Sequence, residues 1–170
     1  NKQKDSLYIH LSYSNDEKLI NELILIEKTQ KLFKKNKINF LVKSKTQTYN
    51  SKFLKVFMGE LSNKKYNEAY KSCTGVVILN DNKFVYRVSG TMVDALSYNK
   101  IVFALKTPSF NYYKNNNKKI IHFFNDPMDL LKKIILQKNR NFNLDEDFKK
   151  FRFNNSSTKL KEDFSKIFTL

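Results

Sequence analysis

Six short apolar runs, separated by longer polar stretches, constrain the fold of this chain more than any other feature of its sequence. They cover residues 7–11, 38–43, 54–57, 75–79, 101–105 and 120–124. Several are rich in β-branched residues, and their lengths are typical of strands that are buried on both faces of a sheet. The pattern therefore predicts a parallel sheet with ligand chemistry at the carboxyl ends of its strands.

The stretches between the runs carry helix signals. Asp16 is a candidate N-cap for a long amphipathic helix that continues to about Asn36, and Ser62 is a candidate N-cap for a second helix. Pro127 occupies a position typical of the first turn of a third helix. This alternation predicts an α/β fold: a doubly wound parallel sheet of about six strands, with helices on both faces and further helices at the C-terminus.

The chain length of 170 residues fits one domain of ordinary size. We expect residues 1–138 to form the sheet-containing domain and residues 139–170 to form a helical extension of it. Within the domain, the polar stretch 108–119 is predicted to be a loop. The chain begins with Asn1 rather than an initiator Met and shows no apolar signal core, which we interpret as a cut at a domain boundary.

The segment between the fourth and fifth apolar runs carries the clearest functional signal. Ser89 or Gly90 is expected to cap or begin a short helix there. A helix that begins after a buried strand points free N–H groups and the positive end of its dipole outward, which favours an anion. Arg87 adds a positive charge beside this point, and Asp94 adds an acceptor one turn into the helix. A diphosphate linked to a hydroxyl-bearing sugar matches these groups, and a plain helix cap beside a surface ion pair is the alternative.

The net charge of +16 invites a search for anionic partners. Only Arg87, Arg140 and Arg152 are arginines among the 32 basic residues, whereas proteins that read nucleic-acid bases favour Arg. We therefore interpret most of the charge as a solvated lysine coat, with attraction to anionic lipid headgroups or to a nucleotide as a second interpretation. Cys73 is the only cysteine, which is typical of a reducing cytoplasm.

Metal-binding signals are weak. The two histidines and the single cysteine lie at separations that predict no metal site. The acidic residues Asp145, Glu146 and Asp147 resemble a motif that binds Mg²⁺ and a diphosphate, but they fall at the start of a predicted helix, where acids complement the helix dipole. We favour that second interpretation, and we interpret His10 as a structural residue of the first strand.

Residues 57–105 contain a distinctive order of short motifs. The order is Gly-Glu-Leu-Ser at 59–62, tyrosines at 66 and 70, the apolar run 75–79, Tyr-Arg-x-Ser-Gly-x3-Asp-Ala-Leu at 86–96, and the apolar run 101–105. This order resembles the donor-binding half of a GT-B glycosyltransferase, and the resemblance extends over residues 7–137. It is greatest to bacterial polysaccharide-synthesising enzymes that use a nucleotide-activated sugar. It implies a Rossmann-like fold, a UDP- or GDP-sugar as substrate and no required cofactor.

The resemblance also implies roles for individual residues. Ser89, Gly90 and Thr91 match the helix start that binds phosphate in the family. Asp94 matches the acid that binds the ribose hydroxyls, although it is one carbon shorter than the usual glutamate. Tyr86 falls where retaining members carry their first glutamate, so the chain departs from the family at that position.

Further roles follow from the same resemblance. Met58 and Gly59 fall at the edge that binds the base in such folds. Lys18 and Lys43 match basic residues that are aimed at the diphosphate. Arg87 is expected to make part of the polar contacts that the missing first glutamate makes in the family. These cations and the helix N–H groups would stabilise charge on the leaving diphosphate without a metal.

The GT-B resemblance sets expectations about activity and partners. Such enzymes need two Rossmann-like halves, with the acceptor mostly on the other half. We therefore expect a hexosyltransferase-like enzyme whose residues 1–170 bind donor but are inactive without an N-terminal acceptor domain. The expected partners are a nucleotide sugar and a glycan or lipid-linked acceptor, with no nucleic acid. The expected location is the cytoplasm, with peripheral contact at the inner face of the membrane.

Two other functional classes stay open. Residues 8–17, Tyr-Ile-His-Leu-Ser-Tyr-Ser-Asn-Asp-Glu, also resemble the first strand and loop of a TIR-type signalling domain. Such a domain would be an interaction module or an NAD-cleaving enzyme, but residues 86–96 lack the glutamate that hydrolysis would need. The third class is a basic Rossmann-like nucleic-acid binder, which the scarcity of Arg disfavours.

Overall fold

The computed structural model describes residues 6–12, 16–79, 89–115, 117–139, 143–159 and 161. The strands are β1 (Ser6–His10), β2 (Ile38–Lys43), β3 (Tyr49–Asn50), β4 (Leu54–Phe57), β5 (Gly75–Ile78), β6 (Ile101–Leu105) and β7 (Ile121–Phe124). The helices are α1 (Glu17–Gln30), α2 (Leu32–Lys35), α3 (Asn63–Ser72), α4 (Gly90–Ser97), α5 (Pro108–Asn115), α6 (Pro127–Lys138) and α7 (Asp145–Asn154).

The described strands form one sheet in the order β3-β4-β2-β1-β5-β6-β7. The edge strand β3 pairs antiparallel with β4, and every other pairing in the sheet is parallel. Taken in chain order, the six parallel strands are arranged 3-2-1-4-5-6, which is the order of dinucleotide-binding doubly wound folds. The predicted α/β, Rossmann-like fold is confirmed, and each of the six apolar runs forms a strand.

Helices cover both faces of the sheet. On one face, α1, α2 and α6 pack their apolar residues against a core centred on Phe33, Phe40 and Phe103. On the other face, α3, α4, α5 and α7 pack around Ile78 and Met92. Across the described ranges, no helix combines the length and the apolar character that crossing a bilayer requires.

Gly75 on β5 leaves space for the aromatic ring of Tyr8 from the neighbouring strand. It lies in register with Tyr8 on β1 and with Ile101 on β6. A Cβ atom at position 75 would lie 3.1 Å from the Tyr8 ring and 3.1 Å from the Ile101 carbonyl oxygen. The missing side chain therefore lets the Tyr8 ring reach Phe103, which it contacts edge-on with ring centroids 5.8 Å apart.

Two local predictions are wrong. Residues 108–115 are helical rather than a loop, because Pro108 begins α5 and the buried Phe110 anchors it. The Thr107 hydroxyl accepts a hydrogen bond from the Phe110 N–H at 3.4 Å and so caps this helix. The long helix predicted from Asp16 ends at Gln30, because Lys31 adopts a left-handed conformation (φ 53°) before α2 begins.

The C-terminal helix α7 belongs to the same body as the sheet. Phe148 and Phe151 are buried in the same apolar cluster as Met92 of α4, and α7 contacts α4. Arg152 donates a hydrogen bond to Asn99, immediately beyond α4. The aromatic residues Phe148 and Phe151 of this helix therefore face the domain core, whereas Phe153 is exposed.

Candidate functional site

A cleft of about 400 Å³ lies at the carboxyl ends of β1, β2 and β4. Its lining combines residues from these strand ends with the starts of α3 and α4: Leu11, Ser12, Lys43, Phe57, Glu60, Leu61, Asn63, Tyr66, Gly90 and Thr91. Between β1 and β5 the strand order reverses, and the Asp16 N–H donates to the Leu79 carbonyl across this point at 2.7 Å. Open α/β sheets bind ligands at such a switch point, so the cleft is the candidate site.

The start of α4 points free N–H groups at the cleft. The Ser89 hydroxyl accepts from the Met92 N–H at 3.4 Å, which confirms Ser89 as the N-cap. Among the described residues, none accepts a hydrogen bond from the Gly90 or Thr91 N–H groups. A Cβ atom at Gly90 would meet no atom within 4 Å, so open space lies beside these donors. Their geometry suits an anion.

Lys43 brings a cation to the same cleft. It is the last residue of β2 and is only 9% exposed. Burial lowers the pKa of the Lys43 ammonium, because water no longer stabilises its charge fully. A buried cation that lines the same cleft as these N–H groups favours a bound anion such as phosphate.

Asp94 lies one turn beyond the helix start and is exposed. The Tyr66 hydroxyl donates to its carboxylate at 3.5 Å, which links Asp94 to a residue of the cleft wall. Burial raises the pKa of Tyr66, and the nearby Asp94 charge adds to this shift. Tyr66 therefore stays protonated and keeps its donor role at neutral pH.

The other predicted site residues are less closely grouped. Met58 and Gly59 follow β4 beside the cleft residue Phe57, and Gly59 adopts a left-handed conformation (φ 89°). Lys18 lies exposed in the first turn of α1 and is not among the residues that line the cleft. Tyr86 and Arg87 lie outside the described residues. Their roles stay predictions.

Sequence reasoning missed Glu17, which organises the loop after β2. Its carboxylate accepts hydrogen bonds from the Ser44 hydroxyl (2.6 Å), the Lys45 N–H (2.7 Å), the Thr46 hydroxyl (2.9 Å) and the Gln47 amide (3.1 Å). This loop follows directly on Lys43. Glu17 therefore fixes the backbone beside the cleft cation, from a partner 27 to 30 residues away in sequence.

Replacing Glu17 with glutamine should destabilise the fold by about 1 to 3 kcal/mol at pH 7, because charged hydrogen bonds are lost. Burial alone would raise the pKa of Glu17, but its four hydrogen bonds outweigh burial and hold this pKa below its ordinary value. Its contribution is thus complete above the unfolded-state pKa and is lost as pH falls through the folded-state pKa. Urea unfolding should show a difference between parent and variant that shrinks toward pH 3.

A matched control is Glu22→Gln on the same helix, because the Glu22 side chain makes none of these contacts. This change should alter the free energy of unfolding by less than about 0.5 kcal/mol. Equal effects of the two substitutions would show that Glu17 does not hold the loop.

The acidic residues singled out as a metal-like motif lie in the first turn of α7. Asp147 forms an ion pair with Lys119 at 3.4 Å, and Glu146 forms one with Lys149 at 2.8 Å. Their position confirms the expected helix start, and they are not among the residues that line the cleft.

No protein-family model matches the chain, and no curated protein matches it either.

Proposed function

We propose that the cleft binds a nucleoside diphosphate sugar and that the chain is the donor-binding domain of a GT-B type glycosyltransferase. The observation that supports this best is the convergence of the N–H groups of Gly90 and Thr91 with the buried cation Lys43 at the switch point of a 3-2-1-4-5-6 sheet. The motif order along residues 57–105 supplies the family.

The cleft offers groups for each part of such a ligand. The N–H groups and Lys43 would hold the diphosphate and stabilise the charge that develops on it as the sugar leaves. Asp94 would accept from the ribose hydroxyls. Glu60 adds a carboxylate to the cleft wall, which suits sugar hydroxyls better than further phosphate. Phe57 provides an apolar surface near the predicted base-binding edge.

The proposal assigns acceptor binding to a second domain. Residues 1–170 would then bind nucleotide without transferring sugar, and the natural acceptor would be a glycan or a lipid-linked glycan. Work on such an acceptor would place the protein in the cytoplasm, at the inner face of the membrane. Measurable sugar transfer by residues 1–170 alone would contradict this assignment.

Thermal unfolding with added ligands tests the proposed class. UDP or GDP at 100 times its Kd should stabilise the fold by about 2.7 kcal/mol. Stabilisation by NAD but by neither nucleotide would favour the TIR-type alternative, and stabilisation by single-stranded RNA alone would favour a nucleic-acid binder. No stabilisation by UDP or GDP would remove the donor-binding proposal.

Replacing Asp94 with alanine should weaken binding of the stabilising nucleotide by about 1 to 3 kcal/mol, because hydrogen bonds to a charged acceptor are lost. Isothermal titration measures this change directly. Glu68→Ala on the exposed side of α3 is the matched control and should leave the affinity unchanged. An unaltered Kd in a folded Asp94 variant would show that this carboxylate does not touch the ligand.

A further inference from the structure

A second concave surface lies at the opposite end of the sheet from the cleft. Phe57 at the carboxyl end of β4 lines the cleft, whereas Phe53, just before the amino end of the same strand, lines this groove. The groove has a volume of about 410 Å³ and lies between the end of α1 and the hairpin formed by β3 and β4. We name it the lysine groove, because Lys28, Lys31, Lys34 and Lys52 line it.

The lysine groove carries excess positive charge. Among the described residues that line it, the only acidic one is Glu27, which is buried and whose carboxylate accepts from the Phe33 N–H at 3.0 Å. The ion pairs found among the described residues involve Lys119, Lys133 and Lys149, so none of them neutralises a lysine of the groove. Ammonium groups gathered around one concavity repel one another, and a bound anion would relieve that repulsion.

Two of the ammonium groups are held in place. The Lys28 ammonium lies 5.5 Å from the centre of the Tyr49 ring, and the Lys52 ammonium lies 5.5 Å from the centre of the Phe53 ring. Such contacts attract a cation to the face of a ring. Lys31 lies at the break between α1 and α2, where its backbone is left-handed (φ 53°). The cations are therefore partly ordered before a ligand arrives.

These features indicate which anion the groove suits. Lysine binds phosphate as a point charge, and no Arg is among the described residues that line the groove, where it would allow paired recognition of bases. Lysine ammonium groups already lie over the rings of Tyr49 and Phe53, which disfavours stacking of nucleic-acid bases on them. The volume fits one small phosphorylated group rather than an extended polymer. We propose that the lysine groove is a binding site for a phosphate-bearing anion, distinct from the cleft.

Inorganic tripolyphosphate and lipid vesicles test the two sources of such a phosphate. The triple variant Lys31→Gln, Lys34→Gln, Lys52→Gln is compared with the parent at 150 mM salt. Its affinity for tripolyphosphate, or for phosphatidylglycerol vesicles, should fall at least tenfold. Loss with tripolyphosphate points to a free phosphorylated ligand, and loss with vesicles alone points to a lipid headgroup.

A control triple variant removes the same charge elsewhere: Lys71→Gln, Lys118→Gln and Lys150→Gln. It should retain the parent affinity within about twofold. In NMR titrations, tripolyphosphate should shift the amide signals of Ser51 and Lys52 at lower concentration than those of Gly90 and Thr91. Equal losses in both triple variants, no binding of either probe by the parent, or shifts confined to the cleft would overturn the proposal. None of these outcomes depends on nucleotide binding at the cleft.

Discussion

Replacing Phe103 with alanine is expected to lower the free energy of unfolding by about 3 to 5 kcal/mol. Phe103 is fully buried on β6, between β5 and the edge strand β7. Its ring contacts the Tyr8 ring edge-on and stacks on the His122 ring with centroids 5.3 Å apart. Truncation therefore removes apolar burial and leaves a cavity between two rings that strands on either side hold in place.

Urea unfolding of Phe103→Ala and Phe153→Ala separates this cavity effect from loss of an aromatic residue in general. Phe153 is 58% exposed on α7, so its truncation should cost less than about 1 kcal/mol. Comparable losses in the two variants would contradict the central role of Phe103 in the core.

The six parallel strands could be predicted because each corresponds to one continuous run of apolar residues. A run such as 101–105 is apolar at every position, and the sheet buries both of its faces. The N-caps Asp16, Ser62 and Ser89 could also be predicted from the sequence, because a cap accepts from N–H groups only two or three residues ahead. The start of α4, which carries the anion-binding hypothesis, was thus predictable from its local sequence.

Features that depend on distant or unusual partners could not be predicted. The break after α1 involves the buried Glu27 carboxylate, which binds the Phe33 N–H six residues ahead. Helix α5 depends on tertiary anchoring of Phe110 within an otherwise polar segment. The two-residue strand β3 is too short to give a periodic pattern.

The candidate site shows the same division. Gly90 follows from the local helix start, whereas Thr91 and Lys43 were expected from the resemblance to GT-B enzymes. Glu17 was missed because its four partners lie beyond the whole of α1 and β2. Tyr66 entered the sequence analysis only as part of the motif order, and only the folded chain brings its hydroxyl to Asp94.

His10 is expected to make the fold markedly less stable in mild acid. It is fully buried at the end of β1, where its Nδ1 lies 3.0 Å from the Val77 carbonyl and 3.4 Å from the Leu79 nitrogen. Burial lowers the pKa of His10 from 6.5 to about 4. The Val77 hydrogen bond and the Glu17 charge oppose this shift, and the Lys43 charge adds to it.

The direction of the pH effect follows from proton binding by the two states. Above pH 6.5, His10 is neutral in the folded and the unfolded chain, so it makes no pH-dependent contribution. Between pH 6.5 and about 4, the unfolded chain binds a proton that the folded chain excludes. The free energy of unfolding should therefore fall by about 1.4 kcal/mol per pH unit, and by about 3 kcal/mol in total.

Urea unfolding at half-unit steps from pH 7.5 to pH 4 measures this slope, and two variants assign it. His10→Asn keeps an N–H donor for the Val77 carbonyl but cannot titrate, so its slope between pH 6.5 and pH 5 should vanish. His122→Gln replaces the only other histidine of the chain and should keep the slope of the parent. If stability instead stays constant from pH 6.5 to pH 5 and falls only in stronger acid, where carboxylates bind protons, then the folded chain accepts a proton at His10 as readily as the unfolded chain does.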